Sequence, residues 1–184
     1  FMRDWNDTIF NRIINSTLLE KKEYKYSDLP YYLIKKYLEE KYSSSLDHLV
    51  KNYLFSKIGA NTLSYNPHID KDIKSIVPSE NDRYFRNGVL KGFVHDMGAA
   101  MQGGVGGHAG LFGNSLDVAK IMQLYLHKGN YGDLEFFSSE IFDEFNKCHF
   151  CDDNVRRGIG FDKPEIEDDS AITCDCVSKN SFGH

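Results

Sequence analysis

The sequence predicts a mostly helical domain with few strands. Three observations carry that expectation. Apolar residues recur at helical spacing in successive segments. Gly158-Ile159-Gly160-Phe161 reads as a short strand late in the chain. Between them, Asn66 to Gly113 shows neither a helical nor a strand period.

The first helix is expected within Asp4–Leu19, where Ile9, Phe10, Ile13, Ile14 and Leu18 share a face. Lys21 to Lys25 is a polar turn. A second helix begins after Tyr26-Ser27-Asp28, with Asp28 or Ser27 as N-cap and Pro30 in the first turn, where a missing N–H is harmless. Tyr32, Leu33, Tyr37 and Leu38 supply its apolar face. Ser43 to Ser45 precedes a third helix over Leu46–Lys57, with Leu49, Val50, Tyr53 and Leu54 inward and Gly59 as its stop.

The aperiodic stretch Asn66–Gly113 is too long for an ordinary connection. It carries Tyr84, Phe85, Val89, Leu90, Phe93 and Val94, enough apolar material to be ordered. It ends in a glycine-dense run from Gly98 to Gly113, which implies unusual backbone angles or close chain approach. An ordered loop wrapping a scaffold is expected. Ser115 then caps a helix offering Leu116, Ala119, Ile121, Met122, Leu124 and Tyr125, ended by Gly129. Tyr131-Gly132 is a turn, Ser138 or Ser139 starts a short helix through Phe145, and Glu165–Asp169 is an acidic loop.

Composition excludes several function classes. The chain has 184 residues, 41% hydrophobic, with a formal net charge of -5. That size fits one domain or most of one. Its basic residues are scattered, and pairs such as Lys21-Lys22 and Lys35-Lys36 read as solvated helix faces, so no nucleic-acid partner is expected. No apolar run approaches the roughly 18–20 residues that span a bilayer. Phe1 to Trp5 has no signal-peptide pattern, and both ends read as cut. A secretion signal could therefore lie upstream.

Cys148-x-x-Cys151 and Cys174-x-Cys176 leave three states open: a zinc site, one or two disulfides, or ordinary thiols. The irregular spacing argues against zinc, and ordinary thiols are the expectation. The run Gly103-Gly104-Val105-Gly106-Gly107-His108-Ala109-Gly110 lacks the strand before it and the Lys after it that a phosphate loop needs. His95 and Asp96 are adjacent and so point apart. They are expected, with His108 nearby, to hold the loop by hydrogen bonds rather than to catalyse.

Four segments in this order carry a family resemblance. They are Tyr26-Ser27-Asp28-Leu29; Phe55-Ser56-Lys57-Ile58-Gly59 with Tyr65-Asn66-Pro67; Val94-His95-Asp96 with Gly103 to Phe112; and Ser181-Phe182-Gly183-His184. Together they resemble the serine β-lactamase and penicillin-binding-protein superfamily, in its class C-like branch. Val77 to Gly88, leading into Val94, resembles the domain fused behind family 3 glycoside hydrolases of the β-N-acetylhexosaminidase type. The resemblance implies an α+β fold of β-lactamase/transpeptidase type, an antiparallel sheet flanked by helices. Residues 1–184 would be a mostly helical partial domain of it, truncated at both ends and poorly folded alone.

The resemblance also implies an acyl-serine mechanism without a cofactor. Tyr26 would be the catalytic general acid/base. Asp28 and His184 would be substrate-binding, the latter in the place of the family's third-motif lysine. Asp28 stands where Asn is usual, so an acceptor-only carboxylate would meet the substrate. Pro30 and Gly107 also depart from the pattern. No serine in the chain has Lys three residues on, so the Ser-x-x-Lys nucleophile is absent from these residues. The chain alone is expected to be inactive, and the parent is expected to be an extracytoplasmic hydrolase of cell-wall peptide, β-lactam or ester substrates. The alternative is a non-catalytic accessory module of a cell-wall glycosidase.

Overall fold

The computed structural model describes residues 5–21, 24–151, 155–164, 177–178 and 180–183. Among these lie six helices, α1 (Asn6–Ile14), α2 (Leu29–Tyr42), α3 (Leu46–Val50), α4 (Met97–Met101), α5 (Ser115–Leu126) and α6 (Ser139–Asn146). Three two-stranded antiparallel pairs join them. These are β1 (Ser64–Tyr65) with β4 (Leu111–Phe112), β2 (Pro78–Asp82) with β3 (Gly88–Lys91), and β5 (Asn130–Tyr131) with β6 (Leu134–Glu135). No described helix is long and apolar enough to cross a membrane.

The chain divides into two compact units, one of residues 1–21 and 25–120, the other of 22–24 and 121–184. In the first, α1 is shorter than its apolar period. It ends at Asn15, whose amide and the Ser16 hydroxyl turn back onto the Asn11 and Ile13 carbonyls. Such local bonds compete with helix continuation, and Leu18 is left exposed. Helix α2 starts where Pro30 and Asp28 predict it, and Ser43 ends it in the left-handed region.

The face of α2 differs from expectation. Leu33 and Tyr37 are exposed, while Lys35 is 4% exposed, its Nζ donating to Asn6 Oδ1 at 3.4 Å. The aliphatic stem of a lysine packs like an apolar side chain, so Lys35 is core here and not a solvated face. Lys36 behaves as expected, paired with Glu40 on the surface.

Helix α3 does not run unbroken to Lys57. From Lys51 to Phe55 it widens, and the Ser56 N–H donates to the Lys51 carbonyl five residues back. The widened turn buries Phe55 and leaves Tyr53 exposed. Leu46, Leu49, Phe55, Ile58, Ala60 and Leu63 form the core beneath it. Each large side chain there contributes about 1.5–3 kcal/mol by leaving water.

Asp117 fastens α5 to this core. Its Oδ2 accepts from the Thr62 N–H at 2.7 Å and the Thr62 hydroxyl at 2.6 Å, and its Oδ1 from Lys120 Nζ at 2.7 Å. Lys120 and Thr62 hold the carboxyl down at about 2. The cap of α5 is Asn114, whose Oδ1 accepts from the Asp117 N–H, and not Ser115.

The stretch read as loop contains a hairpin and a helix. Strands β2 and β3 pair with an irregularity between Pro78 and Glu80. Of its apolar residues, Leu90 and Val94 are buried, whereas Tyr84 is 91% exposed.

The second unit packs around aromatics. Phe161 and Phe182 meet at 5.1 Å, Phe142 and Phe182 at 5.4 Å, and Tyr125 and Phe161 edge-on at 5.4 Å. Among the described residues, Leu124 is the largest fully buried side chain. Gly158–Phe161 is a turn and not a strand. The Gly158 N–H donates to the Phe161 carbonyl, and Gly160 has φ +80°. Asp162 beyond it bridges both Arg157 and Gly183.

Cys148 and Cys151 form a disulfide, which corrects the expectation of ordinary thiols for that pair. Cys174, Cys176 and the acidic loop Glu165–Asp169 lie outside the described residues, as does His184.

Candidate functional site

Three motif segments converge at the head of α2. Tyr26-Ser27-Asp28 enters the helix through a local turn in which the Leu29 N–H donates to Ser27 Oγ at 3.2 Å. The Asp28 carbonyl accepts from the Tyr31 N–H, and the Asp28 side chain is half-buried. One oxygen of Asp28, one of Asp96 and a ring nitrogen of His108 all lie within 4.8 Å of one another. Nothing in the sequence pairs these three residues. The structure brings Asp28 to the Asp96–His108 pair, and leaves the Tyr26 side chain 57% exposed at the rim of the element.

Asp96 has two tasks. Its Oδ1 accepts from the Ala99 N–H at 2.6 Å, capping α4, and from His108 Nε2 at 2.8 Å. Burial pushes the Asp96 carboxyl up, but the Ala99 N–H and His108 pull harder, and it ends below the usual carboxylate range. An ionised carboxylate only accepts, so the proton of the pair sits on Nε2. His108 is 6% exposed at its side chain, and its Nδ1 is buried with no hydrogen-bond partner among the described residues. The Tyr32 ring lies 4.7 Å from the imidazole. Burial first, then Asp96 and Asp28, raise the Tyr32 phenol above its usual value.

The glycine-rich run makes this approach possible. A side chain at Gly107 would put its Cβ 2.5 Å from the Tyr31 carbonyl oxygen, inside the first turn of α2. At Gly104, with φ +83°, a Cβ would strike the Asn66 carboxamide, which donates to the Gly103 carbonyl at 2.8 Å. The loop thus lies directly against the turn that carries the Tyr26 element. Tyr65 adds a bond from its hydroxyl to the Gly106 carbonyl, and burial pushes that phenol up to about 12.

Val94-His95 is fixed from the other side. The Arg86 guanidinium donates to the Val94 and His95 carbonyls at 2.6 Å each and to Asp82 Oδ2 at 2.9 Å. The Phe85 N–H, Arg86 and the Tyr84 N–H hold the Asp82 carboxyl far below its ordinary value. His95 itself stays exposed. The Asp96 bonds to the Ala99 N–H and to His108 fit the loop-holding reading of Asp96, and the Asp96–His108 link is one the sequence did not pair, whereas His95 is held only through its carbonyl.

Asp28, Asp96 and His108 could together hold a cation. Asp96 Oδ1 is already engaged by the Ala99 N–H and by His108. A cavity of about 700 Å³ lies elsewhere, among Trp5, Phe85, Val89, Phe93, Met101 and Gly104. Its walls are mostly apolar and hold none of Tyr26, Asp28 or His108. The chemistry therefore assigns the candidate site to the head of α2 rather than to the cavity.

Comparison with known proteins gives the same picture. The chain is 35% identical over 128 residues to an Escherichia coli O157:H7 protein named "Putative D-alanyl-D-alanine carboxypeptidase", covering 62% of this chain and 29% of that one. It is 28% identical over 175 residues to an N-acetylmuramyl-L-alanine amidase of Bacillus subtilis (strain 168), covering 88% and 39%. The chain thus spans about a third of the length of the curated relatives it matches.

Among solved structures, a penicillin-binding protein homologue from Pyrococcus abyssi matches with TM-score 0.53 and 16% identity, over 79% of this chain and 30% of that one. A "putative beta-lactamase" from Bacteroides dorei DSM 17855 matches with TM-score 0.51 and 12% identity, over 78% and 35%. No protein-family model matches. At these identities the structural likeness shows the fold, which is α+β of β-lactamase/transpeptidase type.

Proposed function

We propose that this chain, a member of the serine β-lactamase and penicillin-binding-protein superfamily, forms one wall of the active site of an acyl-serine hydrolase that cleaves peptide or amide bonds of cell-wall material. The observation that carries this is the convergence at the head of α2, where Asp28 of the Tyr-x-Asp element meets Asp96 and His108 from the two halves of the glycine-rich segment. Two relatives named for carboxypeptidase and amidase activity support the substrate class. They also favour an extracytoplasmic setting.

In this reading the nucleophile comes from sequence outside these 184 residues, because no serine here has the Lys partner. Tyr26, at the exposed rim, is the general acid/base that passes the serine proton to the leaving group. Asp28 faces the substrate as an acceptor-only group, which favours a substrate donor there over a carbonyl. By the family pattern alone, His184 is a substrate-binding residue standing in the place of the third-motif lysine. A fused glycoside hydrolase of the β-N-acetylhexosaminidase type completes the parent protein.

The test uses the full-length protein. Incubation with a fluorophosphonate probe or a labelled penicillin, followed by peptide mass analysis, should place one adduct on a serine of a Ser-x-x-Lys motif. Tyr26→Phe should slow acylation by about 10²–10⁴-fold. A full-length protein that forms no adduct with either reagent and releases nothing from peptidoglycan would sink the reading.

A further inference from the structure

The disulfide between Cys148 and Cys151 closes a very small ring, with a sequence separation of 3, directly after α6. In the chain-entropy account the stabilisation from a cross-link grows with the loop it closes. This ring is near the lower limit of that scale, so stability is a weak reason for it. Its surroundings suggest reactivity instead.

The Arg156 guanidinium stands beside one sulfur of the pair. Its Nη1 is 3.3 Å from Cys151 Sγ, and its Nε donates to the Pro164 carbonyl at 2.9 Å, which holds the guanidinium in place. Cys148 Sγ instead has the Val155 carbonyl oxygen at 3.9 Å. A fixed cation favours the thiolate of the sulfur it touches, whereas a carbonyl oxygen does not. Both cysteines are half-buried rather than sealed in the core. The ring is also braced independently of its S–S bond. The His149 N–H donates to the Arg157 carbonyl at 3.0 Å and the Val155 N–H to the Phe150 carbonyl at 3.1 Å, and neither bond involves a cysteine sulfur.

We propose that Cys148–Cys151 is a thiol–disulfide exchange site, with Cys148 as the sulfur attacked and Cys151 as the leaving thiolate under Arg156. The partner is an external thiol. Its thiolate attacks Cys148 Sγ, the S–S bond breaks, and the electron pair leaves on Cys151 Sγ. A mixed disulfide then joins Cys148 to the external sulfur. A second external thiolate attacks that external sulfur and releases the Cys148 thiolate. The protein disulfide gains two electrons and, with two protons, becomes two thiols. Two external thiols become one external disulfide. The second thiol is either another small molecule or the other half of a dithiol on an oxidoreductase.

The full-length protein tests this. It is equilibrated in glutathione buffers of stepped reduced-to-oxidised ratio, and in parallel with dithiothreitol, then alkylated and digested with trypsin. Cleavage after Lys147 and Arg156 puts both cysteines on one peptide. The expected result is reversible opening in glutathione, with the mixed disulfide on Cys148 and not on Cys151. Opening by dithiothreitol alone would assign the partner as a dithiol. Arg156→Gln should shift the exchange constant toward the closed disulfide by at least tenfold, about 30 mV. Arg156→Lys, which keeps the charge, should stay near the parent value and controls for damage to the fold. The proposal is overturned if the pair stays closed in both reagents, if Arg156→Gln exchanges like the parent, or if Cys148 or Cys151 is found bonded to Cys174 or Cys176.

Discussion

His108 reaches twelve residues back to Asp96, its Nε2 donating to Oδ1 at 2.8 Å, and this bond joins the two halves of the glycine-rich segment beside Asp28. It also supplies part of what keeps the Asp96 carboxyl below its usual range. In a His108→Ala variant the Asp96 carboxyl should therefore titrate at higher pH, read from its carboxyl carbon by NMR. Losing a buried, charge-assisted bond should cost about 2 kcal/mol of stability. An unchanged Asp96 titration would show that the Ala99 N–H alone sets it.

Asp117 predicts an acid limb. Its folded-state value is about 2 against a usual 3.8, so its stabilisation is complete above the usual value and is lost as pH falls toward about 2. Melting temperatures of the full-length protein should fall over that window. Asp117→Asn should lower the neutral-pH value and flatten the limb. A limb of equal slope in the variant would assign the effect to other carboxylates, with Asp82 the first candidate because its carboxyl is also held low.

Gly107→Ala tests the seating of the loop. The added methyl meets a main-chain oxygen 2.5 Å away in the first turn of α2, and a main chain cannot rotate aside as a side chain can. A cost of about 1–3 kcal/mol is expected. Gly103→Ala provides a contrast. No atom lies within 4 Å of its added methyl, and the left-handed backbone at φ +76° is the remaining penalty. Thermal melting of both variants separates steric overlap from backbone strain.

Leu124→Ala should be the costlier of two leucine truncations on α5. Leu124 is 1% exposed and Leu116 is 73% exposed. The first should lose about 3–5 kcal/mol, including the cavity left behind. The second should stay within about 0.5 kcal/mol. Denaturant titration with equal m-values would make the comparison clean.

Local chemistry made several elements legible in the sequence. Pro30 and Asp28 mark the start of α2, and Gly59 and Gly129, both at positive φ, stand where the third helix and α5 end. Features that depend on distant partners were not legible. Strand β2 is Pro-Ser-Glu-Asn-Asp, which has no apolar alternation because its pairing with β3 rests on the backbone. Gly158–Phe161 has strand-like composition, yet Gly160 bends it into a turn. At the site, Tyr26 and Asp28 stood out only through a family pattern. The Asp96–His108 link was hidden because loop residues carry no period from which contact can be inferred. The widened turn at Lys51–Phe55 has no signal in the residues themselves.

Lys35 lies under the glycine-rich loop. Its Cβ is the third-nearest atom to the position a Gly107 methyl would take, and its ammonium reaches Asn6 on α1. It therefore works as a built-in gauge. While the loop is seated, amine-labelling reagents should reach Lys35 far more slowly than its neighbour Lys36. When the loop lifts, that disparity should collapse, so the ratio of two adjacent labels reports the state of the site without any substrate.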